Sequence, residues 1–428
     1  MNKKEYDVIV VGSGVGGSTV AREMTRRGKK VLLLESGSRV DMLGSILTLP
    51  LMLRHFGITP SREGYFVNFA KTYGGASIIA AGCAFPAPKS MFDPFGIDLT
   101  EETEEARKDL WIGKLPDRLI GSGNLRLLEA ANEAGENWGK MDNFIDPNLC
   151  VEGCADCMVG CKRGAKWTAR IFGDEAVKNG ADLKLNMTVK RVLTEGGKAV
   201  GVMTSKGEQF YGKAVVLSAS ISNAYFLRDL GISEAGRGFC CDWLQFVGAV
   251  VPGINTTTKD NPMTVGSAEH WEGDGFVLVP VMPNWLLFGG LLLFQPSTLG
   301  HFRDFWRMSG IMVKIRDETQ GELRGGTSFS KPITRQDQLK LDKGVKIIKK
   351  ILRKAGAKNN SFVELKPLGA HPSCTCRIGE VLDSNLETKI QNLYCCDASV
   401  LPAAMGAPVV WTLAALGKRL AKHLAARL

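Results

Sequence analysis

The sequence lacks any apolar run long enough to cross a bilayer. Its longest apolar stretches, 46–53 and 285–294, are interrupted by Pro50 and by the pair Gly289-Gly290. A membrane-spanning helix needs about 20 consecutive apolar residues. These stretches therefore predict buried elements of a globular chain and not membrane spans.

The N-terminus also lacks a secretion signal. The first apolar strand begins within a few residues of Met1, which leaves no space for a signal peptide. We therefore expect a cytoplasmic protein. The stretch 41–56 predicts a lid or core helix, and an amphipathic surface helix in peripheral contact with a membrane is the alternative.

Internal repeats and low-complexity tracts are absent, and the chain has only five histidines. Its 428 residues are 44% hydrophobic and 23% charged, which predicts two or three domains' worth of core. The net charge of +10 is compatible with an anionic partner, yet Lys and Arg are scattered. The basic clusters 346–354 and 418–427 have helical spacing, which favours solvated helix faces and no nucleic-acid partner.

Disulfides are not expected among the eleven cysteines, because a chain without an export signal stays in a reducing compartment. We expect these cysteines to be thiols or metal ligands. Four of them crowd into one short segment, as Cys150, Cys154, Cys157 and Cys161.

The first 37 residues contain a strand, a glycine loop, a helix, a second strand and an acid. Residues 8–11 form an aliphatic run without polar alternation, which is typical of a strand buried on both faces. Gly12 permits a tight turn, Gly14 a close approach to a pyrophosphate, and Gly17 close packing of helix and strand. The pyrophosphate would lie at the helix N-terminus, and Glu35 falls where an acid binds an adenosine ribose. The combination predicts a dinucleotide site, with an ordinary βαβ crossover as the alternative.

The middle of the chain supplies further pieces of this domain. A long irregular region contains Gly74-Gly75-Ala-Ser77, whose small residues suit a backbone pressed against a flat ligand. A predicted helix, 119–139, leads to the cysteine cluster. After it we predict strands at 183–189, 198–204 and 214–219 and a helix at 222–230. The last of these strands places Ala219 at the carboxyl edge of the sheet, where ligands collect.

The predicted pattern of strands and helices changes between residues 240 and 366. We predict strands at 246–251, 275–281, 285–294 and 310–315, with an amphipathic helix, 336–355, across them. A strand after Asn392 and a last helix from Val409 close the chain. The predicted fold is α/β: a discontinuous Rossmann-like domain (1–239, with a cysteine-rich loop at 150–166, and 367–428) and an inserted α+β substrate domain (240–366) built on an antiparallel sheet.

Four separated segments resemble the glucose-methanol-choline flavoprotein oxidoreductases. They are the glycine loop with Glu35, the Gly74-Gly75-Ala-Ser77 segment, the strand Val215-Val-Leu-Ser-Ala219, and the closing block with His371-Pro372 and Asp397-Ala-Ser-Val-Leu-Pro402. They follow the family's order and sample the chain from residue 7 to residue 420. The resemblance implies that the dinucleotide is FAD and that a small-molecule substrate is oxidised.

The resemblance also implies which residues contact FAD. Asp397 would lie beside the ribityl and pyrophosphate groups, the backbone near Val189 beside the adenine, and Gly75 and Ser77 near the pyrophosphate and the isoalloxazine. The expected cofactor-binding residues are Gly12, Gly14, Gly17, Glu35, Gly74, Gly75, Ser77, Val189, Ala219, Asp397, Ala398 and Val409.

The resemblance implies that His371 is the catalytic base. The family's histidine at this position faces the flavin and takes the substrate hydroxyl proton, a task that suits a group titrating near neutrality. A structural loop histidine is the alternative. Ala407 stands where the family usually has His or Asn, and its side chain cannot form a hydrogen bond. Either another group, Asp242 or a cysteine, supplies that contact, or the reaction is not ordinary alcohol oxidation.

The spacing of the clustered cysteines favours an iron–sulfur cluster. Zinc sites draw ligand pairs from separated segments, whereas ferredoxins use spacings like those of Cys154, Cys157 and Cys161, with Cys150 as fourth ligand. A subset of the family, the FAD-dependent sugar dehydrogenases with an iron–sulfur relay, is similar here. We expect a 4Fe–4S cluster, or a 3Fe–4S cluster as its variant. Zinc, unliganded thiols and a radical adenosylmethionine cluster are the other interpretations.

These features predict an FAD-dependent dehydrogenase of CH–OH groups that passes electrons through the cluster to an acceptor protein or a quinone. Phe288, residues 291–294, Phe302, Phe305 and Trp306 favour a hydrophobic alcohol as substrate, but they suit a domain core equally well. One alternative is a flavin and iron–sulfur reductase or desaturase acting on a C–C double bond. The other is an electron-transfer subunit of a larger complex, bound to a partner subunit.

Overall fold

The structure, a computed structural model, describes residues 5–41, 44, 55–256, 258–282, 288–289, 292–293, 295–325 and 328–428. Two large sheets and the helices packed on them make the chain an α/β protein, which confirms the predicted fold class. Within these ranges, no helix has both the length and the apolar character that crossing a bilayer requires. The helix expected at 41–56 falls almost entirely outside the described residues.

Most strands of the described residues are short, and the three longest, of eight or nine residues, lie inside the two large sheets. In chain order they are β1 (Glu5–Val11), β2 (Val31–Leu34), β3 (Phe56–Pro60), β4 (Phe66–Ala70), β5 (Gly113–Lys114), β6 (Gly139–Lys140), β7 (Asp142–Asn143), β8 (Asp182–Lys184), β9 (Val189–Glu195), β10 (Lys198–Thr204), β11 (Gln209–Leu217), β12 (Arg237–Phe239), β13 (Trp243–Val250), β14 (Val265–Gly266), β15 (Phe276–Pro280), β16 (Met308–Ile315), β17 (Gly321–Gly325), β18 (Ser328–Ser330), β19 (Val363–Glu364), β20 (Leu368–Gly369) and β21 (Leu393–Cys395).

The helices that the structure describes include four long ones, α1, α5, α9 and α10. In chain order the α-helices are α1 (Val15–Arg26), α2 (Lys89–Phe92), α3 (Thr100–Asp109), α4 (Asp117–Ile120), α5 (Ser122–Glu133), α6 (Ala169–Lys178), α7 (Ser222–Asp229), α8 (His270–Gly273), α9 (Arg335–Lys354) and α10 (Val410–Arg427). A 3-10 helix of 12 residues occurs at Pro296–Arg307, and short ones occur at Gly75–Ile79, Asp93–Phe95, Asp156–Val159, Asn359–Ser361 and Ala398–Val400.

The first sheet carries the glycine loop at the end of its central strand. Its strand order is β8-β2-β1-β11-β10-β9, and the second half of β11 also pairs with β21. The pairs of β1 with β2 and β11 are parallel, whereas β9, β10 and β11 form an antiparallel meander. Val8, Ile9 and Val10 are completely buried, as the aliphatic run predicts. Helix α1 packs against α6 and α10, which come from distant parts of the chain.

The second sheet has the order β15-β16-β13-β20-β4-β3, with β19 also paired with β13. Its pairs are antiparallel except for β20 with β4. Helix α9 covers it, and Gly344 permits the close approach because a Cβ there would lie 2.3 Å from Val313 Cγ2. Strands β3 and β4 belong to this sheet although they precede residue 240. The predicted domain boundaries at 239/240 and 366/367 stay a prediction.

Several predicted elements differ from the structure, each for a local reason. The predicted helix 119–139 breaks at Gly121, whose φ of 90° is outside the helical range, and ends before Gly135. The predicted strand 183–189 is two strands, β8 and the start of β9, separated at Asn186 with its φ of 55°. In the predicted strand 285–294, the described residues 288, 289, 292 and 293 are helical. A short apolar run alone does not distinguish a buried strand from a buried helix.

The two basic clusters do lie on helices, α9 and α10. Lys418, however, is buried and not solvated, because its ammonium pairs with Asp109 at 2.6 Å and Glu23 at 3.3 Å.

Candidate active site

The glycine loop between β1 and α1 is crowded on one side and open on the other. A Cβ at Gly12 would lie 2.1 Å from the Ser218 carbonyl oxygen, and one at Gly17 would lie 2.0 Å from the Gly12 carbonyl oxygen. A Cβ at Gly14 would meet no atom within 4 Å among the described residues. Gly14 caps α1, whose first N–H groups have no partners within the helix. This free space at a helix N-terminus suits an anion such as a pyrophosphate.

This difference between Gly14 and Gly17 gives a matched pair of variants. We expect Gly14→Ala to fold normally, because its φ of −65° suits alanine, but to bind FAD about tenfold or more weakly, a loss of ~1.4 kcal/mol. Gly17→Ala should instead destabilise the fold itself by about 1–3 kcal/mol through overpacking. Thermal unfolding of the flavin-free proteins and flavin titration check both. Equal loss of stability in the two variants would contradict the assignment.

The Gly74–Ser77 segment lies directly against the glycine loop. A Cβ at Gly75 would be 3.0 Å from Gly14 Cα, and the Gly74 N–H donates to Ser13 Oγ at 3.0 Å. The Ser77 hydroxyl donates to the Gly74 carbonyl at 2.5 Å and accepts from the Ala169 N–H at 3.0 Å. The structure therefore brings these predicted cofactor residues together, with the Ser77 side chain bonded inside the protein.

Glu35 is buried at the end of β2 and holds the glycine loop in place. Its carboxylate accepts from Ser13 Oγ at 2.7 Å, from the Ser13 N–H at 3.0 Å and from the Gly37 N–H at 2.6 Å. Ser36 Oγ approaches as a fourth donor at 3.4 Å, so the protein itself already engages the roughly four lone-pair positions of this carboxylate. Ribose binding by Glu35 stays a prediction.

Asp397 connects two carboxyl-edge turns of the first sheet. Its carboxylate accepts from the Ser220 N–H at 2.7 Å, from Asn223 Nδ2 at 2.9 Å and from the Ser399 N–H at 2.8 Å. Burial raises the pKa of Asp397 despite these hydrogen bonds, which lower it. Ala219 is fixed beside it by an N–H bond to Asn223 Oδ1 at 2.9 Å.

The remaining predicted cofactor residues lie at element ends. Ala398 begins the 3-10 helix after Asp397, Val409 is the residue before α10, and Val189 begins β9. The Cys374 N–H donates to the Ala398 carbonyl at 3.1 Å, which joins the Asp397 turn to the loop that carries His371.

His371 is paired with a buried carboxylate. Its Nδ1 lies 2.9 Å from Asp242 Oδ2, and the Asp242 side chain is only 1% exposed while 31% of the His371 side chain is exposed. Lys314 on β16 lies 3.3 Å from the same Asp242 oxygen, because β13 and β16 pair with Leu244 opposite Lys314. The exposed side of the ring is therefore available to a ligand.

The charges around His371 hold Asp242 ionised and His371 neutral. Although burial raises the pKa of Asp242, the Lys314 ammonium and His371 lower it more. Burial and Lys314 lower the pKa of His371, and they outweigh the bonds to Asp242 and to the Ala407 backbone, which raise it. A neutral imidazole whose Nδ1–H is directed at a carboxylate can accept a proton at its other nitrogen.

The turn that contains Ala407 is fixed against this pair. The Gly406 N–H donates to Asp242 Oδ1 at 2.9 Å, and Trp271 Nε1 donates to the Met405 carbonyl at 2.7 Å. Asp242 itself has a φ of 46°, rare for a residue with a side chain, and its N–H donates to Asp317 at 2.8 Å. The turn that contains Ala407 thus contributes backbone groups to the site, although residue 407 has no polar side chain.

The cysteine-rich loop folds around one small cavity. All four predicted metal ligands line it, together with Asp156, Lys162, Arg163, Lys166 and Asn261. Asn261 Nδ2 donates to Cys150 Sγ at 3.6 Å. Burial raises the pKa of Cys150 and Cys154, and it raises that of Cys157 to about 12. Without a cation these buried groups are thiols.

Lys166 ties this loop to the Gly74–Ser77 segment. Its ammonium donates to the carbonyls of Ile78 at 2.8 Å, Ala80 at 2.6 Å and Cys157 at 2.6 Å. Burial lowers the pKa of Lys166 to about 8, against the opposing effect of Cys157 and Cys161. The ammonium therefore stays mostly protonated at pH 7.

Four residues that contact the predicted site residues were not identified from the sequence. Lys314, Asn223 and Asn261 each contact a predicted residue from a distant part of the chain, and Lys166 contacts Cys157 from nine residues away. Only Lys166 carried a local signal, because it closes the cysteine-rich segment.

The fold and the site define a two-sheet α/β protein with a dinucleotide-type glycine loop, a histidine paired with a buried carboxylate, and a four-cysteine loop. Comparison of the sequence with models of protein families identifies the family to which it belongs. The N-terminal model of the GMC oxidoreductases matches residues 6–240, and their C-terminal model matches residues 329–417. The chain belongs to the GMC oxidoreductase family.

Three distant relatives each align with nearly the whole chain. An uncharacterized protein of Methanocaldococcus jannaschii is 24% identical over 98% of this chain and 100% of its own length. A long-chain-alcohol oxidase of Arabidopsis thaliana is 24% identical over 98% of this chain and 68% of its own. The crystal structure of pyridoxine 4-oxidase from Mesorbium loti superimposes with a TM-score of 0.68 at 16% identity, covering 98% of this chain and 99% of that one. The structural likeness supports the shared fold.

Proposed function

We propose that this protein is an FAD-dependent dehydrogenase that oxidises a CH–OH group and delivers the electrons through an iron–sulfur cluster to an outside acceptor. When bound, FAD would accept the hydride of the substrate carbon, and the cluster would carry electrons singly. The observation that carries the proposal is the His371–Asp242 pair, because it supplies a neutral, oriented proton acceptor.

His371 takes the substrate hydroxyl proton as the C–H bond breaks and the C=O bond forms. The charge that develops on the imidazole is stabilised by Asp242 at 2.9 Å and by its bond to the Ala407 backbone. Lys314 keeps Asp242 ionised throughout. The chain thereby replaces the side chain missing at Ala407 with a buried carboxylate and a backbone group.

The glycine loop and the Asp397 turn fit FAD. The open space at Gly14, the contact of Gly75 with that residue and the N-terminus of α1 would hold the pyrophosphate. Asp397 shapes the neighbouring turn through the Ser220 N–H, and its own turn connects to the His371 loop through the bond between Cys374 and Ala398. Hydrogen bonds thus connect the proposed cofactor site to the proton acceptor His371.

A hydrophobic alcohol is the substrate class we favour. Ala370, next to His371, packs against an apolar cluster that includes Phe288, Leu292 and Phe305. The long-chain-alcohol oxidase among the relatives acts on an apolar alcohol by name, whereas the pyridoxine oxidase acts on a polar one. Because Phe288 and Phe305 are nearly fully buried, they contribute to the domain core, and Trp306, 56% exposed, does not.

The four-cysteine loop supports a cluster better than zinc. A tetrahedral zinc site with Zn–S bonds of about 2.3 Å would place its sulfurs ~3.8 Å apart. Among the described residues, no three of these sulfurs lie within 4.8 Å of one another. An iron–sulfur cluster separates its thiolates further, since several irons stand between them. An electron acceptor, as a protein or a quinone, and a cytoplasmic location complete the proposal.

The function is tested by mixing the oxygen-free protein with a panel of alcohols and following the flavin absorbance. We expect bleaching by at least one apolar alcohol. If no alcohol bleaches the flavin but enones or enoyl thioesters reoxidise its reduced form, the reductase alternative is correct. Turnover only in the presence of a protein partner would favour the electron-transfer subunit.

Asp242→Asn should separate the effect of the Asp242 charge on His371 from the effect of the hydrogen bonds that orient the site. Asparagine can still accept from the Gly406 N–H, but it loses the charge that raises the pKa of His371. The rate of flavin reduction depends on neutral His371, so it rises with pH through a midpoint below 6.5 in the wild type. In the variant we expect this midpoint to move further down and the plateau rate to fall.

The matched control is Asp274→Asn, because Asp274 accepts from another histidine, His270, at 2.7 Å. A pH–rate profile of flavin reduction for both variants checks the prediction. If Asp242→Asn and Asp274→Asn gave the same profile, Asp242 would have no role in proton transfer.

A further inference from the structure

Lys166 is a buried charge without a carboxylate partner. Its side chain is among the largest that are completely buried, and its whole residue is 2% exposed. Its ammonium donates to three carbonyls, and none of the ion pairs between described residues includes it. An isolated buried charge is costly, so an anion is expected close by.

The other buried lysines each have the carboxylate partner that Lys166 lacks. Lys314 pairs with Asp242 at 3.3 Å, Lys331 with Asp317 at 2.7 Å and Lys418 with Asp109 at 2.6 Å. Lys166 is the exception among the four buried lysines in the part of the chain described here. The acidic groups that act on it are the thiols of Cys157 and Cys161, which line the same cavity, whereas Asp156, also in the lining, interacts with Lys162.

We propose that Lys166 is the counter-charge of the metal–thiolate centre and sets its reduction potential, which rests on the proposed iron–sulfur function. Four thiolates give such a centre a negative charge, and reduction adds another. A fixed cation at Cys157 stabilises the reduced form more than the oxidised form and so raises the potential. Two further cations, Lys162 and Arg163, line the cavity at its exposed side.

The Lys166 ammonium also links the proposed flavin site and the cysteine loop through hydrogen bonds to backbone carbonyls. Ile78 belongs to the 3-10 helix that begins at Gly75, beside the glycine loop, and Ala80 follows it, while Cys157 belongs to the cysteine loop. Lys166 therefore positions the cysteine loop relative to the Gly74–Ser77 segment. It is a positioning residue that acts through Cys157 and is not itself a ligand.

The test compares wild type with Lys166→Met, which keeps the length of the side chain and removes its charge. Iron, sulfide and flavin are measured per chain after oxygen-free purification, and the cluster potential is measured by spin-resonance titration. We expect Lys166→Met to shift the one-electron equilibrium toward oxidation at least tenfold, which is about 59 mV to lower potential. Lys166→Arg, which keeps the charge, should stay near the wild type.

Lys166→Gln replaces the methionine variant if that one does not fold, with flavin content reporting folding. Lys418→Met controls for the loss of a buried lysine elsewhere and should leave the potential unchanged. A charge-free variant with wild-type iron content and potential would overturn the role of Lys166 alone. Wild-type protein that binds flavin but no iron would overturn the cluster and this role with it, while leaving the alcohol chemistry at His371 in place.

Discussion

His371→Ala is expected to slow flavin reduction by the alcohol substrate by roughly 10²- to 10⁴-fold, the usual contribution of a general base. The reason is that the variant leaves Asp242 and Lys314 in place but removes the group that takes the hydroxyl proton. The flavin should stay bound, because His371 contributes no bond to the glycine loop or to the Asp397 turn in the described part of the chain. Stopped-flow reduction of the oxygen-free protein measures the rate.

The matched control is His423→Ala. His423 lies on α10, where its ring packs edge-on to Tyr394, away from Asp242. We expect its rate of flavin reduction to equal that of the wild type. A His371→Ala protein that reduces its flavin at the wild-type rate would remove this residue from the mechanism.

Cys157→Ser is expected to abolish iron binding and acceptor reduction while leaving flavin reduction by alcohol intact. Cys157 is the most buried of the four clustered cysteines, and its sulfur contacts Asn261 Oδ1 at 4.0 Å. A serine hydroxyl fits that space and can donate to Asn261, but it is a poor ligand for iron, which prefers thiolate. The measured quantities are iron and sulfide per chain and the rate of dye reduction.

Cys83→Ser is the matched control for this variant, since Cys83 is also buried and lies outside the cysteine-rich loop. It should keep the wild-type iron content. If Cys157→Ser retained all of its iron, the loop would not be the metal site, and the thiols would be structural.

Local patterns predicted the parts of the molecule that depend on local geometry. The tight turn at Gly12 and the close packing at Gly17 follow from the glycine spacing and occur as predicted. Helix α9 begins within a residue of its predicted start, because Thr334 and Asp337 form a capping box. The aliphatic run in β1 is buried because strands flank it on both sides and helix α1 packs against it.

Contacts between distant segments could not be predicted in the same way. Lys314 reaches Asp242 only because β13 and β16 pair in one register, and no local pattern specifies that register. The strands at 56–60 and 66–70 were expected to be irregular, yet they pair with each other and join the second sheet through β20. Lys166 contacts carbonyls 86 and 88 residues away, so its role depends on tertiary structure.

Asp242 shows where sequence and structure complement each other. The alanine at position 407 indicated that either another group, with Asp242 as one candidate, supplies the missing contact or the reaction is not ordinary alcohol oxidation. The structure places its carboxylate on His371 Nδ1 and on the Gly406 N–H, and so accounts for the site without a polar residue at 407.

The most direct measurement of the whole account is the cofactor content of protein purified without oxygen. We predict one flavin per chain together with iron and sulfide in equal amounts, and a reduced-state spin-resonance signal that appears after alcohol is added. A colourless polypeptide that holds neither flavin nor iron, and takes up neither when they are supplied, would contradict the account.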